Sequence, residues 1–121
     1  MNKYRSHDCN TLRKKDVGQE VSLSGWINKK RDHGNLLFID LRDNYGVTQC
    51  IIDKDNTKFN DLEKTQLETV IKIEGKVIDR SKDTINHELN TGEIEITIKN
   101  FEVLGKCKEL PMPVFSDQEY S

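Results

Sequence analysis

Apolar residues alternate with polar residues along five separate stretches of this chain. A period of two is the pattern of a β-strand with one buried face, because successive side chains of a strand point to opposite faces. The most regular stretch carries isoleucine at every second position, at Ile94, Ile96 and Ile98. The sequence therefore predicts a mostly β fold whose strands each give one face to a shared core.

The predicted strands cover residues 17–28, 36–42, 47–52, 69–80 and 93–103. In the third strand, periodicity alone leaves open which of the two alternating sets faces the core. Gly25 could bend or bulge the first strand. Phe101 and Val103 continue the last strand at odd-numbered positions, whereas its isoleucines stand at even-numbered ones. They face the core only if the strand bulges near Lys99.

Residues 53–66 lack the period of two. Phe59 and Leu62 lie at helical spacing there and predict a short helix between strands 3 and 4. Five strands with a helix in this place is the element order of the OB-fold, a partly open barrel that binds oligonucleotides across strands 2 and 3. A small α+β domain with the same elements is the alternative. The candidate N-cap residues of the helix are Asp55, Asn56 and Thr57.

Length favours one domain, because 121 residues suffice for a single compact core. Residues 1–16 are predicted to be a polar lead-in, and residues 17–108 the OB-fold domain. Residues 109–121 are interpreted as an extended linker toward a further domain, because Pro111 and Pro113 prevent a helix or an inner strand there. The expected anchors of the lead-in are Cys9, Leu12 and Val17.

Composition excludes several classes of protein. The formal net charge of -2 argues against coating nucleic acid through overall positive charge, so such a partner must be held by a local patch. We expect a cytoplasmic protein that is not inserted in a membrane, because the N-terminus lacks a secretory signal and no apolar run approaches the roughly 18 residues of a membrane span.

The cysteines indicate neither a disulfide framework nor a zinc site, because Cys9, Cys50 and Cys107 form no Cys-x-x-Cys pair. No nucleophile has a base within a motif, so neither a catalytic residue nor a metal ligand is expected.

A basic cluster precedes the turn at Gly34 and suits phosphate contacts, although such a cluster alone is more often a solvated loop. Phe38 shares the polar face of strand 2 with Asp40, and it is either covered by another element or offered as a platform for base stacking. The basic cluster consists of Asn28, Lys29, Lys30 and Arg31.

Polar side chains on two other strands could read the edge of a stacked base. The Gln49 amide both donates and accepts hydrogen bonds, so it can pair with an exposed base edge. Glu95, like Glu93 on the same face, could accept a hydrogen bond from a cytosine amino group. Solvation is the alternative for all three residues.

Three runs of the sequence resemble the N-terminal anticodon-binding domain of bacterial-type aspartyl-tRNA synthetase, at residues 25–34, 38–43 and 46–49. The resemblance implies that Phe38 stacks on the central uracil of the aspartate anticodon, and that Gln49 hydrogen-bonds this uracil. It also implies that Glu95 reads the third-position cytosine. The cluster around Arg31 would contact the first base and the backbone, through Arg31, Lys29, Lys30 and Asn28. Two further contacts, carried over less closely, flank the loop after strand 4 at Arg80 and Asn86.

The resemblance also implies partners. The expected partner is tRNA(Asp), and a class II catalytic domain outside this chain would attach aspartate to it with ATP and magnesium. This chain alone would need no cofactor and is expected to be a monomer, whereas the parent would be a homodimer. His33 resembles a residue of enzymes that charge both tRNA(Asp) and tRNA(Asn). The alternative functions are a free-standing OB-fold module for single-stranded nucleic acid and a protein-interaction domain.

Overall fold

The computed structural model describes residues 6–106, and the structural statements below concern this part of the chain. One short helix lies between the third and fourth of five strands, so the predicted element order is confirmed. The predicted linker at residues 109–121 lies outside the described residues. The elements are a 3₁₀ turn at Lys14–Asp16, β1 at Glu20–Asp32, β2 at Leu36–Arg42, β3 at Val47–Asp53, α1 at Phe59–Lys64, β4 at Thr69–Asp79, a second 3₁₀ turn at Lys82–Thr84, and β5 at Ile94–Lys106.

The five strands form one sheet that closes into a ring in the order β1-β2-β3-β5-β4. The long strand β1 closes the ring, because Glu20 to Trp26 pair with β4 while Trp26 to Asp32 pair with β2. Neighbouring strands are antiparallel except β3 and β5, which run parallel near Cys50 and Ile96. As a result, the second half of β1 is followed across the sheet by β2, β3 and β5.

The core lies inside the ring, and the predicted alternation is confirmed on β2, β4 and β5. The open question on β3 is settled in favour of the set that contains Thr48 and Cys50. Thr48 can face the core because its hydroxyl donates to the carbonyl oxygen of Cys9 at 2.9 Å. Of the expected anchors of the lead-in, Cys9 and Leu12 are buried, whereas Val17 is 38% exposed and does not serve as one.

The predicted bulge on β5 is confirmed. The register of β4 and β5 shifts beside Gly75, which leaves Lys99 as an extra residue and returns Phe101 to the core. Gly75 is required at this crossing, because a Cβ there would lie 2.2 Å from the carbonyl oxygen of Thr97. The expectation for Val103 is wrong: it is 54% exposed, because β5 has by then left β3 and is paired with β4 alone.

The first strand differs from the prediction in its start, at Glu20 and not at residue 17, in its end and in its bulge. It continues through the basic cluster to Asp32, and a tight turn with Gly34 at φ +79° follows. The register shift lies between Ile27 and Lys29, so Asn28 is the extra residue. Gly25 is regular, and its lack of a side chain lets the Arg42 carbonyl oxygen approach within 2.3 Å of where a Cβ would be.

Helix α1 is present where a helix was predicted, but none of the three candidate caps holds it. The N-cap position is Lys58, which makes no side-chain capping bond. Asn56 instead accepts from the Lys58 N–H at 2.8 Å and donates its Nδ2 to the carbonyl oxygens of Ile98 and Lys99. Its side chain thus ties the start of the helix to the bulge of β5.

Candidate nucleic-acid interface

The bulge at Asn28 decides which basic side chains reach the outer face of the sheet. Ile27 faces the core, and without a bulge Lys29 and Arg31 would follow it inward. With Asn28 as the extra residue, Lys29 lies opposite Asp40 and Arg31 lies opposite Phe38, both on the outer face of β2. One irregular residue therefore places Arg31 beside the predicted stacking platform.

Four side chains on this outer face form a continuous chain of hydrogen bonds across four strands. The guanidinium of Arg31 on β1 donates from Nη2 to Asp40 Oδ1 on β2 at 3.1 Å and to Gln49 Oε1 on β3 at 3.0 Å. Gln49 Nε2 then donates to Glu95 Oε1 on β5 at 2.7 Å. We call Asp40, Arg31, Gln49 and Glu95 the polar network. The structure thus brings together three of the predicted site residues and adds Asp40.

Gln49 is only 8% exposed, although it alternates with residues that face the core. Its amide is hydrogen-bonded on both sides, to Arg31 and to Glu95. The exposed fraction of the Asp40 side chain is 16%, against 41% for Arg31. The polar network is therefore partly shielded from water, which strengthens its hydrogen bonds relative to those of a fully exposed pair.

Phe38 lies next to the polar network, between Arg31 on β1 and Ile51 on β3. Its side chain is half-buried, so it is neither sealed under another element nor fully solvated. The ring of His33 meets it in an edge-to-face contact, with ring centroids 4.8 Å apart and planes inclined at 67°. His33, in the turn after β1, thus adjoins the ring that the sequence predicted as a stacking platform.

The two lysines of the basic cluster have different environments. Lys29 is exposed on the outer face, where a phosphate contact is possible. Lys30 points the other way, and its Nζ donates at 2.6 Å to the carbonyl oxygens of Glu63 and Thr65. Burial lowers the pKa of Lys30, and the nearby Glu63 carboxylate opposes that shift. Its ammonium closes the C-terminal end of α1, which argues against the expected contact of Lys30 with nucleic acid.

Arg80 is buried beside the polar network. Its Nε donates to the carbonyl oxygen of Ile94 and its Nη1 to that of Thr84, each at 3.0 Å. The Nη2 group is buried without a hydrogen-bond partner among the described residues. Burial lowers the pKa of Arg80, while the negative charges of Glu95 and Asp40 raise it. The guanidinium therefore lies within electrostatic range of the network.

Asn86 has a structural role in the loop that follows β4. Its Oδ1 accepts from the Glu88 N–H at 2.9 Å, and its own N–H donates to the carbonyl oxygen of Gly92 at 3.0 Å. Thr91 anchors the same loop by donating its hydroxyl to the carbonyl oxygen of Val47 at 2.6 Å. None of the hydrogen bonds described for Asn86 joins it to the polar network.

Sequence reasoning missed the role of Asp40, although it noted that Asp40 shares a face with Phe38. The signal was Arg31 on the neighbouring strand, whose place on the same face becomes clear only once the bulge at Asn28 is known. Among residues 6–106, no three His, Cys, Asp or Glu side chains are grouped to hold a metal ion, and no helix is long and apolar enough to cross a membrane. The buried cysteines, Cys9 and Cys50, are free, and burial raises the pKa of each thiol.

A ring of five strands with an aromatic and polar groups on the outer face of β2 and β3 defines the class of OB-fold nucleic-acid-binding domains. Residues 21–104 match the family model for the tRNA anti-codon type, described as an OB-fold nucleic acid binding domain. The chain belongs to this family.

Two curated relatives extend the match to almost the whole chain. An aspartate–tRNA(Asp/Asn) ligase from Pelagibacter ubique is 73% identical over 121 residues, which is 100% of this chain and 20% of the relative. A ligase of the same name from Agrobacterium fabrum is 55% identical over 120 residues, 99% of this chain and 20% of the relative. The resemblance to aspartyl-tRNA synthetases is therefore confirmed, and the chain spans about a fifth of the length of these relatives.

The fold is also found in a solved aspartyl-tRNA synthetase from Entamoeba histolytica, with a TM-score of 0.73 and 20% sequence identity. That match covers 83% of this chain and 21% of the other chain. At this level of identity it supports the fold alone.

Proposed function

We propose that this chain is the anticodon-reading domain of an aspartate–tRNA ligase and that the anticodon loop of tRNA(Asp) binds across the outer face of its OB barrel, on β2 and β3. The observation that carries the proposal is the polar network beside Phe38, because it places an aromatic ring, an amide and a carboxylate on one surface. A base that stacks on the aromatic ring can present its edge to the amide and to the carboxylate.

Each residue has a role that its position supports. Phe38 stacks on the middle base, uracil, and the Gln49 amide hydrogen-bonds the edge of that uracil. Glu95 accepts from the third base, cytosine, with the cation of Arg80 nearby. Arg31 and the exposed Lys29 contact the first base and the backbone. Asn28 acts indirectly, because its bulge sets the direction of both cations.

The activity of the whole enzyme is a further part of the proposal. A class II domain outside this chain, using ATP and magnesium, would attach aspartate to the tRNA as part of a cytoplasmic homodimer. The chain by itself would not aminoacylate tRNA. His33 packs against Phe38, and the curated relatives carry Asp/Asn in their names, which supports a parent that charges both tRNA(Asp) and tRNA(Asn). Charging assays of the parent on both tRNAs test this, and strict preference for tRNA(Asp) would contradict it.

The direct test is a titration of this chain with RNA hairpins that differ in one base of the loop. We expect tighter binding to a loop that carries GUC than to one in which the middle base is changed. A general single-strand module would tolerate the change and prefer any pyrimidine-rich strand. A protein-interaction domain would bind neither hairpin.

Removing the aromatic ring tests the stacking platform. Phe38→Ala should weaken binding to the GUC hairpin by about 1 to 3 kcal/mol, the usual contribution of base stacking on an aromatic residue. Leu67→Ala is a matched control, because Leu67 is 52% exposed and lies outside the proposed surface. Equal affinities of the two variants for the hairpin would contradict the role of Phe38.

A further inference from the structure

We infer that Asp40 is a positioning residue which, through Arg31, fixes the orientation of the Gln49 amide and so makes the site select uracil over cytosine at the stacked position. The inference rests on the proposed function and names the device that sets its base selectivity. It depends on three hydrogen-bonded pairs of the polar network and on the burial of Gln49.

Asp40 holds the Arg31 guanidinium as a fork. Arg31 Nη2 donates to Asp40 Oδ1 at 3.1 Å, and Nη1 donates to Asp40 Oδ2 at 3.3 Å. A two-point contact between planar groups fixes direction as well as distance. The same Nη2 also donates to Gln49 Oε1. The carboxylate of Asp40 therefore fixes the position of the group that donates to the Gln49 amide oxygen.

The two flanking groups allow only one orientation of the Gln49 amide. Arg31 can only donate, and the ionised carboxylate of Glu95 can only accept. A flipped amide would set its NH₂ group against Arg31 and its oxygen against Glu95, which loses both hydrogen bonds and opposes like partial charges. Water cannot easily compensate, since Gln49 is 8% exposed.

The fixed amide still has capacity for a base. An amide carries two N–H donors and an oxygen with two lone pairs, and the network uses one of each at Gln49. One donor and one acceptor of the same planar group remain in a fixed order. Uracil presents a carbonyl acceptor beside an N–H donor, whereas cytosine presents an amino donor beside a nitrogen acceptor. A fixed amide therefore matches one base, while an amide that can flip matches both.

The test compares this chain with its Asp40→Asn variant, which keeps the shape of the side chain but weakens the fork. Affinities are measured for GUC and GCC hairpins. The wild-type chain should prefer GUC by about 5- to 150-fold, the discrimination typical of one bidentate base contact. In Asp40→Asn the ratio should fall below about threefold, chiefly through tighter binding of GCC, because the amide can then take either orientation. Asp40→Glu keeps the carboxylate and should restore part of the ratio.

Asp61→Asn is the matched control, because it removes the same charge from an exposed position in the first turn of α1. It should keep the wild-type ratio. If Asp40→Asn weakens binding to both hairpins equally, or retains the ratio, the inference is overturned while the proposed function stands. A wild-type chain that binds both hairpins equally overturns the two together.

A measurement on the wild-type chain does not depend on any variant. The side-chain NH₂ protons of Gln49 should give one set of NMR signals with slowed exchange into water, as expected for an amide held between Arg31 and Glu95. Rapid exchange of both protons, as in an exposed glutamine, would overturn the inference.

Discussion

Two regions of the sheet surface pair acidic with basic side chains, yet they differ in every respect that matters for binding. In the polar network, the Asp40 side chain is 16% exposed, and the hydrogen bonds continue from Arg31 to Gln49 and Glu95 beside an aromatic ring. On the other side, Lys99 Nζ lies 2.9 Å from Glu20 Oε2, but their side chains are 55% and 70% exposed. An ion pair alone therefore does not indicate a site.

Shape alone does not indicate one either. The Glu20–Lys99 pair borders an open groove of about 400 Å³, whose other polar lining comes from Ser6, Ser22 and Glu74. None of the residues within 6–106 that line this groove is aromatic. The outer face of β2 and β3 combines a half-buried aromatic ring, a shielded amide and charged side chains, a set that suits the bases and phosphates of a single strand.

The largest difference between the two regions should appear when one cation of each region is replaced by alanine. Arg31→Ala removes the donor shared by Asp40 and Gln49 and should weaken binding of the GUC hairpin by about 1.5 to 3 kcal/mol, typical for hydrogen bonds to charged groups. Lys99→Ala deletes the same charge from the other region and should change the affinity less than about twofold. Parallel titrations at one salt concentration measure both. Similar losses in the two variants would show that only overall charge matters.

Among the carboxylates of residues 6–106, Asp43 is the most buried, with 3% of its surface exposed. Its Oδ1 accepts from the N–H groups of Tyr45 and Gly46, and its Oδ2 from that of Cys9 at 2.9 Å. An amide cannot accept on both sides, so Asp43→Asn should lower the free energy of unfolding by about 1 to 3 kcal/mol. Urea unfolding measures the loss, with Asp61→Asn as the exposed control. A loss no larger than that of the control would contradict this role.

The same carboxylate predicts a pH dependence. Burial raises the pKa of Asp43, although the three N–H groups oppose the shift. The native state then binds the proton more tightly than the unfolded chain. The resulting stabilisation is present below the unfolded pKa of about 3.9 and is lost as pH rises through the native pKa. The free energy of unfolding should therefore fall as pH rises across this window. The Asp43→Asn variant should lack this part of the fall, because its amide does not titrate.

Lys30 should affect stability without affecting binding. Lys30→Met keeps most of the aliphatic stem but removes the donors to the Glu63 and Thr65 carbonyl oxygens, which should cost about 1 kcal/mol of the free energy of unfolding. The affinity for the GUC hairpin should stay within about twofold, because the ammonium lies away from the outer face. Thermal unfolding and titration of one preparation test both parts. A selective loss of RNA binding would place Lys30 in the interface after all.

The smallest effect is expected at Glu20. The hydrogen bond from Lys99 lowers the pKa of Glu20, so its contribution is present above the unfolded pKa and is lost as pH falls through the lowered native value. Solvent screens so exposed a pair, and Glu20→Gln should leave the melting temperature unchanged within error at neutral pH. A clear drop in melting temperature that salt abolishes would contradict this view of the region.

Features of the fold could be predicted where an apolar residue shows which face of a strand is buried. The bulge at Lys99 could be predicted because Phe101 is apolar but falls out of step with the alternation of Ile94, Ile96 and Ile98. The bulge at Asn28 could not, because every residue from Asn28 to Arg31 is polar and none shows which face it takes. For that reason Lys30 and Arg31 could not be told apart, and Asp40 could not be paired with its arginine.

Long-range contacts set the remaining limit. The aromatic and amide of the site, Phe38 and Gln49, lie on adjacent predicted strands and could be proposed together. Glu95 meets Gln49 only because β5 runs parallel to β3, a pairing of strands distant in sequence that local pattern does not specify. Thr48 faces the core through its bond to Cys9, which likewise has no local signal.

The central claim is that RNA binds at the polar network and not at the Glu20–Lys99 region. Backbone amide NMR shifts of the wild-type chain, recorded while the GUC hairpin is added, test it directly. We expect the largest changes on β2, β3 and the neighbouring parts of β1 and β5, at Arg31, Phe38, Gln49 and Glu95. Changes centred instead on Glu20, Glu74 and Lys99 would contradict it.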